Sequence, residues 1–178
     1  MRVFGIIGNC RGKAELIHRL IAQLQLQGLS VSTIKRVSDD VDLDRPGKDS
    51  YQQRLVGAQE VVMANSFRLA ILQEYQLPRD EPDVDTLIDR LTPVDLVLLE
   101  GFHLSAYPKL EVINGGQDRR PHYRDDPTVI AVTTVGTGIP ETSHESPICL
   151  KNGDIAALAA FVSAHAVPAG QIYAEAVA

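Results

Sequence analysis

Apolar residues in this chain follow two alternating rhythms: short unbroken runs, and stretches where leucine and isoleucine recur every three or four positions. Arg2–Ile7 is an unbroken run and predicts a buried first strand. Leu16, Ile17, Leu20, Ile21 and Leu24 keep helical spacing, and Gly28 supplies the stop. Leu29–Lys35 predicts a second strand. From Arg36 to Ser50 the chain is polar and acidic. Pro46-Gly47 marks a turn there, and Ser50 is expected to cap a short helix reaching Ala58. Glu60–Ala64 reads as a strand, while Phe67–Tyr75 fits strand and helix alike. Asp83 is placed to cap a helix through Leu91, with Val84, Leu87, Ile88 and Leu91 on its inner face. Leu96-Val97-Leu98-Leu99 is the strongest strand signal, too continuous to face water on either side. Leu110–Ile113, Thr128–Thr133 and Pro147–Leu150 add further strands. Asp154 opens a closing helix, and the tail from Pro168 is expected to fray.

Strands alternating with helices predict an α/β fold with a largely parallel central sheet flanked by helices. No repeat or low-complexity segment interrupts it, so residues 1–167 read as a single domain and 168–178 as its tail. A length of 178 residues with 44% hydrophobic content supports a real core. The net charge of −6 argues against a nucleic-acid partner, because phosphate backbones need a basic surface. No apolar run approaches a membrane span, and the opening run is too short for a signal peptide. Cys10 and Cys149 have no paired spacing for zinc or redox work, so a reduced cytoplasm is the expected setting.

Gly8-Asn9-Cys10-Arg11-Gly12-Lys13-Ala14 stands where a phosphate-binding loop belongs, between first strand and first helix. Backbone N–H groups at such a turn converge on phosphate, the helix dipole adds positive potential, and Lys13 can neutralise charge. The loop has three residues between Gly8 and Gly12 where the P-loop pattern has four. Ala14 replaces the hydroxyl that would hold magnesium. Glu15 in the first helical turn suits the dipole but not a neighbouring triphosphate. A plain strand–turn–helix junction explains the same residues.

Glu100 ends the Leu96–Leu99 strand, and ligands of open α/β sheets bind at the carboxyl ends of strands. Two roles are open to it: a magnesium ligand or water-orienting catalytic carboxylate, or an acid that pairs with Lys13 and keeps the loop neutral. The run Asp39, Asp40, Asp42, Asp44 reads as solvated rather than metal-binding. His18 is expected at the surface, and His103, His122 and His144 lack ligand spacing. Cys10 sits where a helix N-terminus lowers thiol pKa, although a small filler role suits it better; Cys149 reads as core.

Several segments, in order over most of residues 1–165, resemble the MobB family of molybdopterin-guanine dinucleotide biosynthesis proteins. They are Met1–Gly8, Ser32-Thr33-Ile34-Lys35, Asp42-Leu43-Asp44-Arg45-Pro46-Gly47-Lys48-Asp49-Ser50 with Gly57-Ala58, Asp95–Phe102, Pro108–Val112 and Asp126–Val132. The resemblance implies a P-loop NTPase-like fold, GTP and Mg2+ as ligands, and a homodimer. It also implies an accessory role, with at most weak GTPase activity, beside the nucleotidyltransferase MobA, which attaches GMP to molybdopterin. Binding to molybdoenzymes, or a scaffold role without nucleotide, is the alternative. The residues it would place at the nucleotide are Gly8, Asn9, Cys10, Arg11, Gly12, Lys13 and Ala14, with Glu100 at any magnesium. The chain departs from the family in the loop spacing, in Ala14, in Arg36–Asp40 after the second strand, and in His103 after Glu-Gly-Phe. Hydrolysis is therefore expected at or near background.

Overall fold

The structure is a computed structural model that describes residues 1–9, 12–38, 41–75, 77, 80–114, 120–136 and 147–171. Its elements, in chain order, are β1 (Arg2–Ile7), α1 (Gly12–Leu26), β2 (Val31–Lys35), α2 (Asp49–Leu55), β3 (Glu60–Ala64) and β4 (Leu69–Gln73). They continue with α3 (Val84–Ile88), β5 (Leu96–Glu100), β6 (Lys109–Asn114), a 3-10 turn (His122–Arg124), β7 (Val129–Val135), β8 (Ile148–Leu150), α4 (Ile155–His165) and β9 (Val167–Pro168). Two compact units emerge: Met1–Arg36 with Asp83–Ala178, and Val37–Pro82. Among the described residues no helix is long and apolar enough to cross a membrane.

In the first unit the strands run in the order β2-β5-β1-β6-β7-β8, all neighbours parallel, and β9 pairs antiparallel with β1. Alternation along each strand sorts side chains to two faces. Phe4, Ile6, Leu96, Leu98, Leu110 and Val112 meet the apolar stripe of α1 (Leu16, Ile17, Leu20, Leu24) and Leu158, Ala159 and Val162 of α4. The other face carries Val3, Ile34, Val97, Leu99 and Tyr107 against Ile88 of α3. Burial on both faces explains why β1 and β5 read as continuous apolar runs.

The caps follow the sequence in two helices of three. The Asp83 carboxylate accepts from Thr86 N at 2.8 Å, and that of Asp154 from Ala157 N at 3.0 Å. Ser50 does not cap α2: the N-cap position is Lys48, which makes no side-chain cap bond, and Ser50 is buried inside the helix, which ends at Leu55. The Phe67–Tyr75 ambiguity resolves as strand β4. Cys149 is exposed rather than core, because β8 is the outermost strand of the sheet order. Of the tail, residues 172–178 lie outside the described residues; Pro168 lies in β9, and Gly170 N donates to the Tyr107 hydroxyl at 2.9 Å.

The second unit is built of α2 and the antiparallel β3–β4 hairpin, in register from Glu60↔Gln73 to Ala64↔Leu69. Arg54 is its polar centre. The guanidinium stands 3.1 Å from Asp42 Oδ1 and 3.5 Å from Asp44 Oδ2, bonds Glu74, and lies over the Tyr51 ring. Backbone donation from Asp44, then Arg54, holds the Asp42 carboxyl below its usual range. Two of the four acids in the acidic run are thus occupied by an arginine; Asp39 and Asp40 lie outside the described residues.

Candidate functional site

The loop after β1 leans on its neighbours. Gly8 has φ +126°, and a Cβ there would fall 2.2 Å from the Val112 carbonyl oxygen; at Gly12 it would fall 2.3 Å from Val135 Cγ2. Packing against β6 and β7 therefore demands glycine at both ends of the loop, whatever it binds. Asn9 is exposed, Cys10 and Arg11 lie outside the described residues, and α1 begins at Gly12. Lys13 and Ala14 consequently occupy the first helical turn, where backbone N–H groups lack partners within the helix.

Glu100 reaches this turn by register. It sits opposite Ile6 of β1 on one side and Lys35 of β2 on the other. Alternation puts it on the face of Leu96 and Leu98, which is the α1 face. Its Oε1 lies 3.8 Å from Lys13 Nζ and 3.5 Å from Lys35 Nζ. The sequence singles out Lys13 and Glu100, and the structure brings them together. Lys35 is the member it misses, although the lysine closes a strand of the same length as the one Glu100 closes. Two ammonium groups leave the carboxylate neutralised.

A second polar arrangement occupies the opposite face. Lys109 and Glu111 alternate with Leu110 and Val112 along β6, and both are buried, at 0% and 4% exposure. Lys109 Nζ donates to Asp126 Oδ2 at 3.0 Å and also bonds the Thr128 hydroxyl. Burial lowers the Lys109 pKa, against the pull of Asp126. Burial raises that of Asp126, but donation from Thr128 and Lys109 outweighs it and holds the carboxyl low. The two oxygens of Glu111 accept from the backbone N–H groups of His122 and Tyr123, each at 2.9 Å. His122 thereby stacks on His103, ring centroids 5.2 Å apart. Two of the histidines that look scattered in sequence are neighbours; His18 is exposed and His144 lies outside the described residues. Among the described residues no group of three or more His, Cys, Asp or Glu side chains is arranged to hold a metal ion.

Residues 3–135 match the family described as MobB, Molybdopterin guanine dinucleotide synthesis protein B. The chain is 34% identical over 133 residues to the "Molybdopterin-guanine dinucleotide biosynthesis adapter protein" of Haemophilus influenzae, covering 74% of each chain. It is 35% identical over 112 residues to the protein of the same name from Escherichia coli, a match that spans 62% of this chain and 63% of that one. Among solved structures it resembles the Bacillus subtilis MobB structure with TM-score 0.72 and 22% identity, over 96% of this chain and 100% of that one. A crystal structure of molybdopterin-guanine biosynthesis protein B gives TM-score 0.69 at 24% identity, over 91% and 98%. At these identities the structural likeness speaks for the fold.

Proposed function

The chain belongs to the MobB family, and from that premise we propose that it is an adapter of molybdopterin guanine dinucleotide biosynthesis that holds GTP through Lys13 beside a MobA-like nucleotidyltransferase. The observation that carries this reading is the Lys13–Glu100 pair at the carboxyl ends of β1 and β5. An incoming phosphate offers Lys13 a better partner than a carboxylate 3.8 Å away, and Lys35 remains to hold Glu100. Charge-assisted bonds to phosphate are stronger than an ion pair reaching water.

The donor set suits phosphate and does not suit magnesium. Ala14 presents a methyl group where the ligating hydroxyl would stand, and Glu100 is shared between two lysines. GTP is therefore a bound ligand rather than a substrate to hydrolyse: positioned metal and electrostatic clamps carry most phosphoryl-transfer catalysis.

The second unit supports the homodimer. A two-stranded hairpin is marginal by itself, and β3–β4 leaves Val62, Leu69 and Ile71 each more than half exposed. A second copy would cover that surface. A nucleotide-free scaffold that binds MobA or a molybdoenzyme is the second reading, favoured because Lys13 and Glu100 already satisfy each other.

GMP attachment to molybdopterin by a MobA-type enzyme, with and without this protein, tests the proposal. Stimulation by the wild type and none by Lys13→Ala is the expected result. Equal stimulation by both would transfer the case to the scaffold, and none by either would end the adapter reading.

A further inference from the structure

We propose that the cleft beside His103 and His122 is a second ligand site, taking a flat ring with a 2-amino-4-oxo edge, the chemistry shared by pterins and guanine. The proposal deepens the adapter reading and rests on it, since that reading is what brings a pterin to this chain.

The cleft lies between the turn after β5 and the segment leading into β7, and its volume is 440 Å³. That falls within the range of small-molecule sites. Its walls are held by an unusual frame. Lys109 and Glu111 are buried charges on one face of one strand. Both are spent on fixing the far wall: Lys109 through Asp126 and Thr128, Glu111 through the backbone of His122 and Tyr123. Buried charges contribute little net stability compared with apolar side chains. A wall fixed at that cost is what a preorganised site requires.

The groups facing the cleft are complementary to such a ring. His103 and His122 stack at the cleft as two nearly parallel rings, their planes 13° apart. Burial, then the nearby His122, Arg36, Lys13 and Lys109, keep the His103 pKa low. A neutral imidazole stacks on a heteroaromatic ring without a desolvation cost for charge. Ser105 also lines this space. Asp125 and Arg120, exposed and paired at 2.5 Å, would offer a carboxylate to the amino edge and a guanidinium to an anionic substituent.

Fluorescence titration of the whole protein with pterin-6-carboxylate, which has no phosphate to engage the Lys13 loop, tests the site. Saturable quenching is expected, weakened at least tenfold by His103→Ala and by His122→Ala and far less by Lys13→Ala. Arg120→Ala, at an exposed position that cannot unfold the chain, should weaken it severalfold, and thermal melts report whether the histidine variants fold. Guanosine carries the same 2-amino-4-oxo edge and is expected to compete; its failure to do so would overturn recognition of that edge. Absence of saturable quenching, or quenching lost in Lys13→Ala but kept in Arg120→Ala, would overturn the proposal. The adapter reading fails separately, in the GMP-attachment assay: a protein that stimulates but binds neither probe loses only this cleft.

Discussion

The two faces of the central sheet carry their charges in opposite ways. On the α1 face, Lys13, Lys35 and Glu100 meet at strand ends, with side chains 19%, 56% and 14% exposed. On the other face, Lys109 and Glu111 lie within β6 and are closed off from water. A partly solvated carboxylate exchanges one cation for another at small cost. A buried ammonium cannot lose its carboxylate without leaving a naked charge. The first cluster is fitted to be remodelled by a ligand, and the second to hold a shape.

Removing one buried partner is the strongest way to break this contrast. Lys109→Ala leaves Asp126 with only its Thr128 donors and empties the space of a long side chain, so it should cost about 2–5 kcal/mol of stability. Urea unfolding measures it; a loss below about 1 kcal/mol would mean that Lys109 is not the organising charge.

Gly5→Ala comes next. A Cβ at Gly5 would stand 2.8 Å from Lys109 Cγ, so the glycine exists to admit the lysine stem. The expected cost is about 1–3 kcal/mol from overpacking. In a Lys109→Ala background it should largely vanish, and simple additivity in that double-mutant cycle would refute the coupling.

The third effect is confined to alkaline pH. The Tyr107 hydroxyl donates to the Asp85 carboxylate inside the cluster on the Lys109 face, and burial, then that bond, push its pKa up to about 12. The usual value is 10.0, so the folded state favours the neutral phenol. Its contribution is complete below pH 10, fades as pH rises, and is gone above about 12. Unfolding free energy should therefore fall across that window and fall less steeply in Tyr107→Phe; parallel profiles would contradict the assignment.

Lys13→Ala should change stability least, by no more than about 1 kcal/mol, because its ion pair reaches water. A larger loss in the same urea experiment would show that the loop needs its lysine for folding rather than for a ligand.

What the sequence made legible follows from the same contrast. β1 and β5 were readable because burial on both faces leaves an unbroken apolar run, and Asp83 and Asp154 because a cap needs only its own next turn. Lys13 and Glu100 were readable because strand ends are where chain order fixes position. The Lys109–Glu111 frame was not: polar residues alternating with apolar ones suggest a half-exposed strand, and only the fold shows water excluded from both sides. The His103–His122 stack was hidden for a related reason, since Glu111 creates it through the backbone of a segment distant in sequence. Ser50 misled because its neighbour Asp49 already opens the helix. β4 stayed ambiguous because most of its residues are exposed and impose no alternation.

Calorimetric titration of GTP into the protein, with magnesium and then with a chelator, asks whether Lys13 holds the nucleotide without a metal. Binding is expected in both conditions, lost in Lys13→Ala, with no hydrolysis above background. Binding that vanishes with the chelator would contradict that expectation, because neither Ala14 nor the doubly paired Glu100 could then be as described. Binding undiminished in Lys13→Ala would contradict it from the other side.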